Sequence, residues 1–534
     1  MAYGSLVGPR LCSLIGLLLL SCVFCTAQSG EAQAHADHGL QLAQSGDLTS
    51  AENELRQAVK LEPTNPEFLT TLATLLAMDK KLEESTGLFR KAVQLAPADL
   101  TSRRYLAANL WQLHRYPEAK RELEIILREH PDDPQSRLLL GMVSENSGDY
   151  ASAAKMLGSV PDEVEKRPES IAALARSYYH LHEQEKARAT LQRLSSHASN
   201  LKSILLGAEI ADRAGDYDQA EQLLNSISAP GSSSVDIRYR KAMIQYHAGR
   251  FAECEKTLQL TEGSAGTAEA FNLLGWCNHR LNKPKEATVA FERAIALAPA
   301  SESNYVDLIK VLEAHNFLRV ALDAANQAAG LFPKSAAVFN LKGSIESRLF
   351  HFTDAATSDQ QAVQIENANS DSWLGLARAQ ASAESISDAT RTFTSALERF
   401  PKDARFKVAY AQMLLNHADA GDRTTTARAE QMLRHAIASD ASNPEAFYQL
   451  GKLELNDGRL TDACKNLERA AKLSPQSSQT HFVLWRAYRQ LNRTAEAARE
   501  LETYKRLNKI EVEVQEHGQS PLSDDARHSL DRNQ

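Results

Sequence analysis

Apolar residues recur along this chain at helical spacing, with polar residues between them, and the pattern restarts after roughly 34 residues. The stretch from Ala268 to Ser301 shows it best. Phe271, Leu274 and Ile295 mark the buried faces of two helices. Gly275 in the first helix and Ala287 in the second are small, and two helices approach closely only where such residues meet. Asn282-Lys283-Pro284 breaks the run. Pro284 suits the first turn of a helix, where its missing N–H would be unpaired anyway. Pro299 cannot continue a helix and closes the unit. The pattern predicts a helical hairpin.

Fourteen such units align on the small residue of the second helix, from Ala51, Ser85 and Ala119 through Cys254 and Ala287 to Ala463 and Ala497. The facing position of the first helix is small in twelve of them; Ile309 and Trp485 depart. Gly46, Gly148, Gly215, Gly249 and Gly458 fall at one place between the helices, where glycine supplies a left-handed residue. The runs Pro230–Ser234 and Gly263–Gly266 read as flexible joints that open readily, and extra residues around Ala418 to Thr425 read as a loop.

Leu274, Gly275, Ala287, Phe291 and Pro299 together resemble the tetratricopeptide repeat. The resemblance covers residues 32–511. It implies an all-α, tetratricopeptide-type helical-hairpin solenoid, a right-handed superhelix of about 14 repeats. The expected organisation is a leader over 1–27, an N-terminal array over 32–229 (repeats 1–6), a C-terminal array over 235–511 (repeats 7–14) and a disordered tail over 512–534.

The leader carries one charge, Arg10, and an apolar run from Leu11 to Phe24, followed by Cys25-Thr26-Ala27. It reads as a secretory signal peptide cleaved near Gln28. Leu19-Leu20-Ser21-Cys22 offers a lipoprotein-type alternative, with Cys22 as a lipid anchor and the only route to a membrane. Either reading predicts an exported protein, periplasmic or extracellular. The net charge of −8 includes no long basic run, which argues against a nucleic-acid partner. Beyond the leader stand Cys254, Cys277 and Cys464. So odd and sparse a set reads as no disulfide framework, with Cys254 a buried small residue.

No phosphate loop, dinucleotide fingerprint, zinc-protease motif or nucleophile elbow occurs. The chain is expected to be no enzyme and to need no cofactor. His35 and His38 share a helix face, but two ligands make no metal site. The resemblance implies that protein or peptide partners bind in a concave groove lined by the first helices. Its groove-facing positions include Trp111, Tyr179, Tyr239, Met243, Tyr246, Trp276 and His279, of types favoured at binding hot spots. Tyr239, Met243 and Tyr246 form one stripe, and Trp276 and His279 continue it on the next repeat. The expected function is a non-catalytic exported scaffold, acting in envelope assembly or export. The alternative is an accessory subunit of an envelope enzyme such as a glycosyltransferase complex.

Overall fold

The computed structural model describes residues 29–196, 201–227, 235–259, 266–419 and 422–517. The leader, most of both Gly/Ser joints and the tail beyond 517 lie outside the described residues. All regular structure among the described residues is helical, and the helices follow one another as fourteen hairpins, with one short extra helix, Pro161–Glu165, between repeats 4 and 5. Repeat 8 is Ala268–Arg280 paired with Pro284–Leu297, as its apolar pattern predicts. A Cβ on Gly275 would come within 2.7 Å of the Phe291 ring, so that glycine sets the helix spacing.

The turn between the two helices is more uniform than its sequence. The five glycines named above have positive φ, and Lys80, His114, His182, Asn282, Asn316, Phe350, Glu384 and Asn492 take the same conformation at the same place. Thirteen of the fourteen hairpins therefore use one left-handed turn. Packing imposes it even on Phe350, where a side chain is unfavourable.

The described residues fall into two compact bodies, Met1–Ser233 and Ser234–Gln534. In each, the buried faces of successive hairpins merge into apolar clusters along the stack. Within the second body each first helix also packs on the first helix of the next repeat, whereas successive second helices stand apart. The first helices thus share one continuous face.

The departures have physical answers. Ile309 is fully buried, and the facing second-helix slot holds Ala325 where twelve repeats hold Leu or Phe. Large and small have changed sides. Trp485 is half-buried against Phe482, with Arg489 over its ring at 5.1 Å. The insertion in repeat 12 is only partly a loop: the second helix begins at Arg423 and runs 17 residues to Ser439. The last helix continues to His517, past the end expected near Glu511.

One expectation is overturned. Cys254 and Cys277 form a disulfide, with Cα atoms 6.6 Å apart. Counting cysteines along the chain missed it because the partners lie in different repeats, one in the second helix of repeat 7 and one in the first helix of repeat 8. Stacking brings them together. Cys464 is free and buried.

Candidate binding groove

The first helix of repeat 7, Val235–His247, carries Tyr239, Met243 and Tyr246 at a four- and three-residue spacing, so they share a face. The first helix of repeat 8 presents Trp276 beside them. These four half-buried side chains line one cavity of about 550 Å³, closed on its far side by Ser301, Asn304 and Asp307 of repeat 9. Each also has an inner side against the core. The two tyrosines and Met243 pack on the apolar cluster around Cys254 and Leu274. Trp276 meets the Phe291 ring edge-on at 5.8 Å. Anchored aromatics of this kind have little rotamer freedom left to lose on binding.

His279 does not line the cavity. Its ring stands edge-on to Trp276 at 5.6 Å, and its Nδ1 lies 3.0 Å from Nε2 of His315 in the next repeat. Burial lowers the pKa of both histidines, with Arg280 adding to the effect at His279 and His279 at His315. His279 therefore buttresses Trp276 from behind.

The polar lining is acidic. Glu269 and Asp307 face the cavity, and among the described residues no Lys or Arg lines it. Asn272 donates to Asn304 at 3.1 Å and to Asp307 at 3.0 Å, which holds that wall in place. Burial raises the pKa of the Tyr239 hydroxyl, and Glu269 adds to the rise. The arrangement suits an apolar or aromatic group followed by a cation.

The other expected groove residues, Trp111 and Tyr179, belong to the first body. Trp111 packs on the core of repeats 2 to 4. Tyr179 lines a second cavity of about 570 Å³, but its hydroxyl donates to Asp216 at 2.9 Å, and Arg188 also binds that carboxylate. His35 and His38 converge on Glu54, at 2.5 Å and 3.4 Å. Among the described residues no group of three or more His, Cys, Asp or Glu is placed to hold a metal ion. No described helix is long and apolar enough to cross a membrane.

Sequence reasoning missed a third cavity, of about 460 Å³, between repeats 10 and 11. Its signal was present: Asp359 stands in the slot that holds Leu or Phe in twelve repeats.

Family models agree with the repeat architecture. A tetratricopeptide-repeat model matches residues 36–99, 106–159 and 205–253, and another matches 268–301. A model described as the cytochrome c-type biogenesis protein H TPR domain matches residues 360–481. Human tetratricopeptide repeat protein 7B is 23% identical over 353 residues, 64% of this chain. The chain spans only 38% of that relative's length. Among solved structures, yeast Tom70 aligns over 93% of this chain and 96% of its own, with 15% identity and a TM-score of 0.39. A tetratricopeptide repeat protein from Parabacteroides merdae aligns over 53% of this chain and 98% of its own, with 17% identity and a TM-score of 0.29.

Proposed function

We propose, the chain being a tetratricopeptide-repeat protein, that it is a non-catalytic, exported scaffold that binds protein or peptide partners along its first-helix face. One observation carries this reading: Tyr239, Met243, Tyr246 and Trp276 come from two repeats and line a single cavity. The partner is a segment with an aromatic or aliphatic anchor next to Lys or Arg, which Glu269 and Asp307 would meet. Binding is by shape and side-chain complementarity, with no bond made or broken.

Three features support export. The apolar leader with Cys25-Thr26-Ala27 has the form of a signal peptide. A disulfide persists best in an oxidising compartment. The third is the likeness to a cytochrome c-type biogenesis domain. A role in envelope assembly follows as the specific form of this reading.

Truncating Trp276 or Tyr246 to alanine tests it. Each change is expected to cost about 2 kcal/mol of binding to a peptide selected on the intact protein. Each ring also packs on the core, so some thermal stability should be lost as well, and binding is measured on the folded fraction. A large loss of stability, with the folded fraction binding as before, would make the stripe core and place the groove elsewhere.

A further inference from the structure

In the second helix of repeat 10, Phe352–Ile365, the slot four residues after the small Ala355 holds Asp359. Where repeat 9 loses its large residue at this slot, Ile309 fills the space from across the hairpin. Repeat 10 has no such compensation. The facing residue is Gly343, and the first helix of repeat 11 adds Gly375, at a position that is glycine in no other repeat. A Cβ on Gly343 would lie 2.3 Å from the Asp359 carboxylate, and one on Gly375 would lie 2.8 Å away. Two residues have therefore changed together, one to glycine and one to a short acid, beside a slot that is glycine in repeats 1, 4, 8 and 13 as well. The result is a hollow opening on the first-helix face.

What lines the hollow is polar. Asp359 is 4% exposed and has no hydrogen-bond partner among the described residues, although it faces the cavity. Asn340 Oδ1 is buried and likewise unpaired. A buried acceptor without a partner is costly and calls for a group from outside the chain. Three guanidinium groups stand around the hollow. Arg348 is held by Glu313 and Asn316, and Arg405 by Asp371 and Asp403. Arg378 makes no ion pair among the described residues, although Glu445 acts on it at longer range. It reaches solvent through the opening, while protein crowds it on its other sides. The hollow thus offers buried groups without a partner and, at its mouth, a cation in no ion pair. Phe352 and Leu374 supply an apolar wall.

We propose that this hollow between repeats 10 and 11 binds a small zwitterion of the amino-acid class, its ammonium group on Asp359 and Asn340 and its carboxylate on Arg378. A purely anionic ligand would leave the two buried groups unmet, and a purely cationic one would leave Arg378 without a counter-ion. The volume suits a free amino acid or a dipeptide. The site lies apart from the cavity of repeats 7 to 9, so each can fail without the other.

The ligand's ammonium should also draw a proton off the site. Burial, with Glu346 adding to it, pushes the Asp359 pKa up to about 8. Around it stand Glu346 with Lys342 and Arg348 on the first helix of repeat 10, Asp354 on its own helix, Arg378 and Asp371 on repeat 11, and Arg405 on repeat 12. Asp359 is thus mostly protonated at neutral pH and must ionise to hold an ammonium group.

Isothermal titration of the full-length protein with free L-amino acids and with glycylglycine tests the proposal. At least one probe is expected to bind with a stoichiometry of one and to release a proton at pH 7, seen by comparing two buffers. Affinity should rise about tenfold from pH 6 to pH 7. Arg378→Met should weaken binding about fivefold, since it removes the carboxylate's partner at the open mouth of the hollow. Asp359→Leu should abolish binding while the protein stays folded. A free amino acid and glycylglycine binding differently would tell which of the two the hollow takes. The proposal is overturned if no probe binds at millimolar concentration, or if binding survives Asp359→Leu.

Discussion

Replacing Asp359 by leucine is expected to stabilise the second body by a few kcal/mol at pH 8. The cause lies in the packing. Leucine faces glycine across the same pair of slots in repeats 1, 4 and 13, where Leu55, Leu157 and Leu467 sit on Gly39, Gly141 and Gly451. The backbone of repeat 10 already has the room. The change removes a buried carboxyl whose pKa is raised from 3.8 to about 8 and adds a buried apolar side chain. The sign of its pH dependence follows. In the folded protein the acid resists ionisation, whereas in the unfolded chain it ionises above about pH 4. Its cost is therefore absent below pH 4, grows as pH rises, and is complete above about pH 8. The advantage of leucine should be largest in mild alkali and smallest in acid. Denaturant unfolding of both proteins at pH 4.5 and pH 8 measures it. An equal difference at both pH values would mean that Asp359 is not held neutral.

Removing the disulfide should have the opposite effect. Cys254→Ala with Cys277→Ala is expected to lower the stability of repeats 7 and 8 by about 3 kcal/mol, from the loss of a cross-link across a 23-residue separation. Repeat 7 has reason to depend on it. Its second helix, Phe251–Gln259, buries two residues among those described, Cys254 and Leu258, and one of them is the cross-linked cysteine. The staple also joins the two repeats that carry the halves of the cavity: Tyr239, Met243 and Tyr246 on repeat 7, Trp276 on repeat 8. Hydrogen exchange should therefore quicken in repeats 7 and 8 of the double variant and change little in repeats 11 to 13. Unaltered exchange in repeats 7 and 8 would show that packing alone holds this junction.

The periodic spacing of Phe271, Leu274 and Ile295, the small pair Gly275 and Ala287, and the glycine turns made the hairpins legible, because each is a local consequence of helix geometry. The left-handed turn at Phe350 or Glu384 was not legible. There, stacking overrides a residue's own preference, and nothing nearby in sequence announces it. The Cys254–Cys277 bond was hidden for the same reason, since it depends on how repeats stack. The cavity at repeats 7 and 8 could be anticipated from the Tyr239, Met243 and Tyr246 stripe. His279 could not be told apart from Trp276 by spacing, although one supports and the other lines the wall. Asp359 was visible in the alignment as a broken rule. Its meaning needed Gly343 and Gly375 to be seen around it, and one of those lies on the next repeat.

Site-specific photocrosslinking tests the central claim, partner binding on the first-helix face of repeats 7 and 8. A photoreactive amino acid is placed at Met243, inside the cavity, and separately at Leu331, a 52% exposed residue on a second helix. Both proteins are irradiated with the selected peptide. The account predicts a crosslinked product from position 243 that excess unlabelled peptide suppresses, and none from position 331. Labelling at 331 with none at 243 would contradict it.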